Sequence, residues 1–167
     1  MLNYKLPEKT AHDIPVCVSR ALSEDIGEGD ISAMLIPEWS IAEAEITANE
    51  TAVLCGKAWV DEVFVQLDKS VQLIWHVEEG QLFDRGTIIA TIIGDARSLV
   101  SGERTALNFL QTLSATATCA RHYSLAASDS HLKILDTRKT IPGLRLAQKY
   151  PVTVGGCYDH RIGLYDA

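Results

Sequence analysis

Three stretches of this chain carry side chains suited to gripping an anion. The first is Asp136-Thr137-Arg138-Lys139-Thr140, directly after the apolar run Leu132-Lys133-Ile134-Leu135. The guanidinium of Arg138 offers a planar fork that fits a carboxylate or phosphate with two bonds, and Lys139 adds a movable point charge. The second is Gly155-Gly156 followed by His160-Arg161. Paired glycines let a backbone come close to a ligand and can aim N–H groups at an anion, and Arg161 could hold a second acidic group. The third is Ser101-Gly102-Glu103-Arg104-Thr105-Ala106-Leu107-Asn108, where Arg104 and Asn108 fall one turn apart on a helix face. Each stretch alone also fits a solvated turn or a water-facing helix surface, since charged loops are common. Taken together, the first two say more. Neighbouring parallel strands would bring Arg138, Lys139, His160 and Arg161 to one rim.

Metal chemistry finds less support. Cys17, Cys55, Cys119 and Cys157 form no close pair, and His12, His76, His122 and His131 have no ligand spacing, so no protein-held metal site is predicted. The glycines Gly80, Gly86 and Gly94 are spaced like half of a lipoyl-carrier hairpin, but no lysine lies between Gly80 and Gly94. That segment reads as structural.

The elements that must position the cations follow from hydrophobic periodicity. Residues 14–25 read as a helix with Asp13 as N-cap and Pro15 in its first turn. Ala42, Ala44, Ile46 and Ala48 alternate with Glu43, Glu45 and Thr47, a half-buried strand. Val60, Val63, Phe64 and Leu67 make a helical stripe over residues 57–67. Val71, Leu73, Trp75 and Val77 alternate again, and Thr87 to Ile93 is a β-branched strand. A long helix is predicted from about Asp95 to about Tyr123. Beyond it come a short strand over residues 132–135, a polar loop, a helix opened by Pro142-Gly143 that runs to Tyr150, a second strand Val152-Thr153-Val154, and a second polar loop. This is an α+β N-terminal sandwich followed by the first part of an α/β barrel, in which function sits on loops after the strands. We place the sandwich and its linking helix in residues 1–112 and the start of the barrel in 113–167. Two strands cannot close a barrel, so the barrel is incomplete within these residues.

Composition narrows the partners. The net charge is −7, which argues against nucleic acid or an anionic membrane as the main partner. The charge is uneven: Lys5, Lys9 and Arg20 are the only cations of residues 1–50, against ten acids, whereas residues 131–167 hold six cations against Asp136, Asp159 and Asp166. A locally basic end on an acidic chain suits a small anion better than a long polyanion. The N-terminal MLNYKLPEKT lacks an apolar signal core and isolated cysteines suit a reducing compartment, so a cytoplasmic location is expected.

The segments LSEDIGEGDIS, GDARSLVSGERTALNFLQTLSATAT, ILDTRKTIPGLRLAQKY and GG…HRIGLYDA closely resemble the quinolinate phosphoribosyltransferase family, over essentially the whole chain. The resemblance implies a sandwich domain and an α/β barrel, and a homodimer or larger homo-oligomer with sites shared between subunits. It implies a pentosyltransferase that joins quinolinate to phosphoribosyl pyrophosphate in NAD synthesis, giving nicotinate mononucleotide, pyrophosphate and carbon dioxide. Arg104 would enter the partner's site and touch a substrate carboxylate. Thr137, Arg138 and Lys139 would line the quinolinate and phosphate pocket, with His160 and Arg161 completing the cradle. Lys139 and His160 are the catalytic candidates, and whether His160 moves a proton or only positions substrate stays open. Mg2+ would be bound mainly through phosphoribosyl pyrophosphate, with its acidic ligands beyond residue 167.

The chain departs from the family pattern in places. Cys157 replaces a small residue, often Gly, after the glycine pair, and Ala115 replaces a Gly. Asp159 stands where Asn is frequent, and a basic residue is common near Thr153. Family members also continue past this point, so the 167 residues alone are expected to be catalytically incompetent. Two alternatives fit the same motifs: a molybdenum-transport-associated paralogue, and a non-catalytic truncated module that assembles with full-length subunits.

Overall fold

The computed structural model describes residues 4–129 and 131–166. Met1, Leu2 and Asn3 of the leader reading, and Ala167 at the end of the last motif, lie outside these residues. Helix α1 spans Glu8–Ile26 and starts directly after Pro7, earlier than expected. Its buried stripe is Thr10, Ile14, Cys17, Val18 and Leu22, which begins upstream of Asp13. Burial of that stripe carries the helix through Pro15, which sits in the interior instead of the first turn.

The sandwich follows. Strands β1 (Ile41–Thr47), β2 (Ala52–Val53), β3 (Gln72–Trp75), β4 (Leu82–Phe83) and β5 (Ile88–Asp95) form two antiparallel sheets, ordered β1-β5-β3 and β2-β4. β1 pairs with β5 from Ile41↔Asp95 to Thr47↔Ile88. The alternation read in β1 holds, but the strand is more exposed than half: Ala44 faces solvent, and Ala42 and Ile46 are only partly covered.

Helix α2 (Lys57–Leu67) buries Trp59, Val60, Val63 and Phe64. Its first amides are held from a distance: the Glu79 carboxylate accepts from Gly56 N–H at 2.9 Å and Lys57 N–H at 3.2 Å. That satisfies donors which a helix leaves open at its N-terminus. Helix α3 (Ala96–Ala126) is capped by Asp95, whose carboxylate accepts from Ser98 N–H at 3.0 Å. It buries Leu99, Ala106, Phe109, Leu110, Leu113 and Ala117 in the core formed by α1, α2 and the sheets.

Helix α4 (Arg145–Val154) joins the same core through Ala147, Tyr150 and Val154. The Tyr150 ring lies 5.6 Å from that of Trp59, centroid to centroid. Residues 152–154, expected as a strand, are the last turn of α4 instead. Burial of Pro151 and Val154 outweighs the β preference of the Val-Thr-Val run. The second strand position is Tyr158, which forms a parallel bridge with Leu135. Of the strand expected over residues 132–135, only Leu135 is bridged. A bridge position, helix α4 and a parallel bridge position therefore follow in order, the sequence of the opening unit of an α/β barrel. Among the described residues no helix is long and apolar enough to cross a membrane.

Candidate functional site

The Leu135–Tyr158 bridge brings the two polar loops together. Tyr158 N–H donates to Ile134 O at 2.9 Å, and Asp136 N–H donates to Tyr158 O at 3.0 Å. Loop 136–140 and loop 159–162 thus leave adjacent strand ends on the same side, as the sequence predicts for parallel neighbours. The side chain of Asp136 ties them further. One carboxylate oxygen accepts from His160 N–H at 2.7 Å, and the other pairs with the Lys149 ammonium. Lys149 also donates to His160 O at 2.9 Å. One helical turn earlier, Arg145 donates to Ile162 O at 3.0 Å and reaches Thr140 Oγ1 at 3.4 Å.

These bonds sort the cations of the basic end. Arg145 and Lys149 are engaged in joining the loops. Among the described residues the ion pairs use Lys57, Arg97 and Lys149, and none uses Arg104, Arg138, Lys139 or Arg161. Lys139 and Arg161 are exposed, as is His160. Arg138 is half-buried, and its Nε is fully buried without a hydrogen-bond partner. A guanidinium N–H withdrawn from water and left unpaired is costly, and an acidic ligand would remove the cost. Thr137 Oγ1 accepts from Lys139 N–H at 3.2 Å, which bends the loop between the two.

The glycine pair works differently from the sequence reading. Gly155 N–H donates to Pro151 O and Gly156 N–H to Thr153 O, so both amides close the end of α4 and neither is free for an anion. Gly155 is small because α3 is close: a Cβ there would lie 2.4 Å from Ala120 Cβ and 2.5 Å from Ala117 O. Arg104 is exposed on α3, and among the described residues no ion pair joins it to either loop. Asn108 lines a cavity of about 400 Å³ with Arg20, Thr105, Pro142 and Gly143, at the foot of the first loop. A larger hollow of about 1160 Å³ lies between β1 and α3. Its lining has Glu45, Glu50 and Glu103 but no lysine or arginine, so it suits a dianion poorly despite its size.

Asp136 and Lys149 are the site residues that sequence reasoning missed. By residue type alone, Lys149 is one more cation of the basic end. A signal existed in its spacing, because Arg145 and Lys149 stand four apart and share a helix face. Asp159 adds a second carboxylate beside this pair. Burial, then the charge of Asp136, push its pKa up, and Lys149 pulls the other way. No three His, Cys, Asp or Glu side chains among the described residues are grouped to hold a metal ion.

Known proteins show the same arrangement of chain. The profile of the quinolinate phosphoribosyl transferase N-terminal domain matches residues 30–114, and that of the C-terminal domain matches 116–167. The chain is similar to a probable nicotinate-nucleotide pyrophosphorylase [carboxylating] of Bacillus subtilis, 46% identical over 143 residues that cover 86% of this chain and 50% of that protein. It is 39% identical to a chloroplastic nicotinate-nucleotide pyrophosphorylase [carboxylating] of Oryza sativa, over 96% of this chain and 43% of that one. Among solved structures, the nicotinate-nucleotide pyrophosphorylase of Francisella tularensis superposes with a TM-score of 0.92 at 42% identity, over 98% of this chain and 57% of the other. The chain spans about half the length of the curated relatives it matches.

Proposed function

Because this chain belongs to the quinolinate phosphoribosyltransferase family, we propose that its paired loops form the acid-binding side of a site that transfers phosphoribosyl from phosphoribosyl pyrophosphate to quinolinate. The observation that carries this reading is the buried, unpartnered Nε of Arg138, on a loop bonded to the one that bears His160 and Arg161. Quinolinate brings two carboxylates, and the donor brings more negative charge. Unpaired Arg138, Lys139 and Arg161 would offset their repulsion. The pyridine nitrogen attacks the anomeric carbon while the bond to pyrophosphate breaks. The ring cation then makes loss of the adjacent carboxylate as carbon dioxide easier, and a proton takes its place on the ring. The protein's share is to orient the ring in line and to counter charge. Magnesium would arrive on the pyrophosphate group. Arg104, exposed and outside any ion pair, would serve the site of a second copy of the chain.

Equilibrium binding of pyridine-2,3-dicarboxylate to the purified chain tests the reading, because it requires no turnover. We expect binding that favours this diacid over the monoacid nicotinate. Arg138→Gln should weaken it on the order of ten- to a hundredfold, the worth of a charge-assisted hydrogen bond, without lowering the melting temperature. No binding by the native chain, or equal binding by the variant, overturns the proposal.

A further inference from the structure

We propose that Lys149 is a positioning residue that fixes the backbone of His160 and so sets the second loop against the first, without itself touching substrate. The inference rests on the proposed anion site and goes beyond it, since none of the cations assigned there accounts for how the loops keep their spacing. Both polar groups of the His160 main chain are taken. Its N–H donates to Asp136 at 2.7 Å and its C=O accepts from Lys149 at 2.9 Å. Asp136 and Lys149 are themselves an ion pair with side chains 3% and 5% exposed. Such a pair is close to neutral from outside, so it adds little pull on an incoming anion. What it supplies is direction: with N–H and C=O held, the Cα–Cβ bond of His160 is aimed, and Arg161 follows it.

The anchor is rigid because α4 is. Ala147, Tyr150 and Val154 sit in the main core, so Lys149 is carried on an element that cannot drift from α3. Arg145 makes a second rung one turn away, from the same helix to Ile162 O. Together the two cations lace loop 136–140 to loop 159–162. A misplacement of a binding group by about 1 Å can cost on the order of a hundredfold in rate, so a brace of this kind has consequences for function even though it is buried.

Removing Lys149 alone strands a buried carboxylate and risks unfolding the chain. The test therefore replaces both partners, Lys149→Met with Asp136→Asn, and compares this double variant with Lys149→Arg. The first readout is amide hydrogen exchange by NMR, which needs no ligand. The His160 amide should exchange on the order of tenfold faster or more in the double variant, while β5 amides keep native rates and Lys149→Arg stays close to native. The second readout is binding of pyridine-2,3-dicarboxylate, which should weaken on the order of a hundredfold in the double variant and be largely restored in Lys149→Arg. Unchanged exchange at His160 overturns the brace. A loosened loop with undiminished binding overturns its positioning role. If the native chain does not bind the diacid, the functional reading fails, and exchange at His160 still decides the brace.

Discussion

The sheet-and-helix region up to Ala126 and the loop region after it are held by different forces. In the first, β5 pairs antiparallel with a strand on each side, and Val53, Leu54, Cys55, Val60 and Val63 are completely buried. The acids of β1 stay outside: Glu43 and Glu45 are both exposed. In the second, apart from the core face of α4, one parallel bridge joins Leu135 to Tyr158, and the ties between the loops are polar: Asp136, Lys149 and Arg145 bind backbone atoms of the neighbouring loop. The difference shows how a site can be cationic and still ordered. Apolar burial fixes α4, α4 presents Arg145 and Lys149, and these hold loops that an apolar core could not reach. A loop made of like charges would otherwise splay, because repulsion and backbone entropy both favour an open form.

The largest expected effect breaks the apolar side of this contrast. Phe64 is 2% exposed and so close to α3 that a Cβ on Gly102 would lie 2.7 Å from its ring. Phe64→Ala should cost about 3–5 kcal/mol by urea denaturation, as for other large-to-small changes in dense cores. A loss under about 1 kcal/mol would show that packing here is loose and that the contrast is misdrawn. A smaller effect sharpens the junction between the regions. Asp95→Ala removes the N-cap of α3, which runs unbroken from β5 toward the loops. The expected cost is about 1 kcal/mol. Faster amide exchange should be confined to the first turn of α3, and loss spread to the loops would mean that the helix transmits fraying along its length.

The contrast also explains what could be read from the sequence. α2 was legible to its ends because a strict apolar stripe follows Gly56. The start of α3 was legible because Asp95 is a good cap. Residues 152–154 misled because Val-Thr-Val favours a strand locally, while burial against α3 is a tertiary fact. Pro15 misled in the same way: it suits a first turn, but the buried stripe reaches back to Thr10. In the site, the cations announced themselves by type and clustering. Their division into braces and free charges did not, because Asp136 meets His160 across 24 positions of chain and only the folded loops reveal it. The glycine pair is the reverse case, where a motif suggestive of ligand approach closes a helix against its neighbour.

The smallest expected effect concerns Asp159, where two carboxylates compete for Lys149. Burial and the charge of Asp136 hold the Asp159 carboxyl above the usual aspartate range. The folded chain then binds a proton at this group more tightly than the unfolded chain does. Between the unfolded aspartate value and the raised folded one, stability therefore falls as pH rises, and it levels off on either side. Asp30 and Asp68 act in the opposite sense, since hydrogen bonds from Ala33 N–H and from Ser70 lower their pKa values. Their contribution is gained as pH rises and is lost in acid. Comparing the native chain with Asp159→Asn cancels those two, because both proteins carry them. The melting-temperature difference, native minus variant, should decline with rising pH across the acid window and become flat above it. Parallel curves would mean that Asp159 titrates as a free surface carboxyl, and the crowding of acids around Lys149 would then be limited to Asp136.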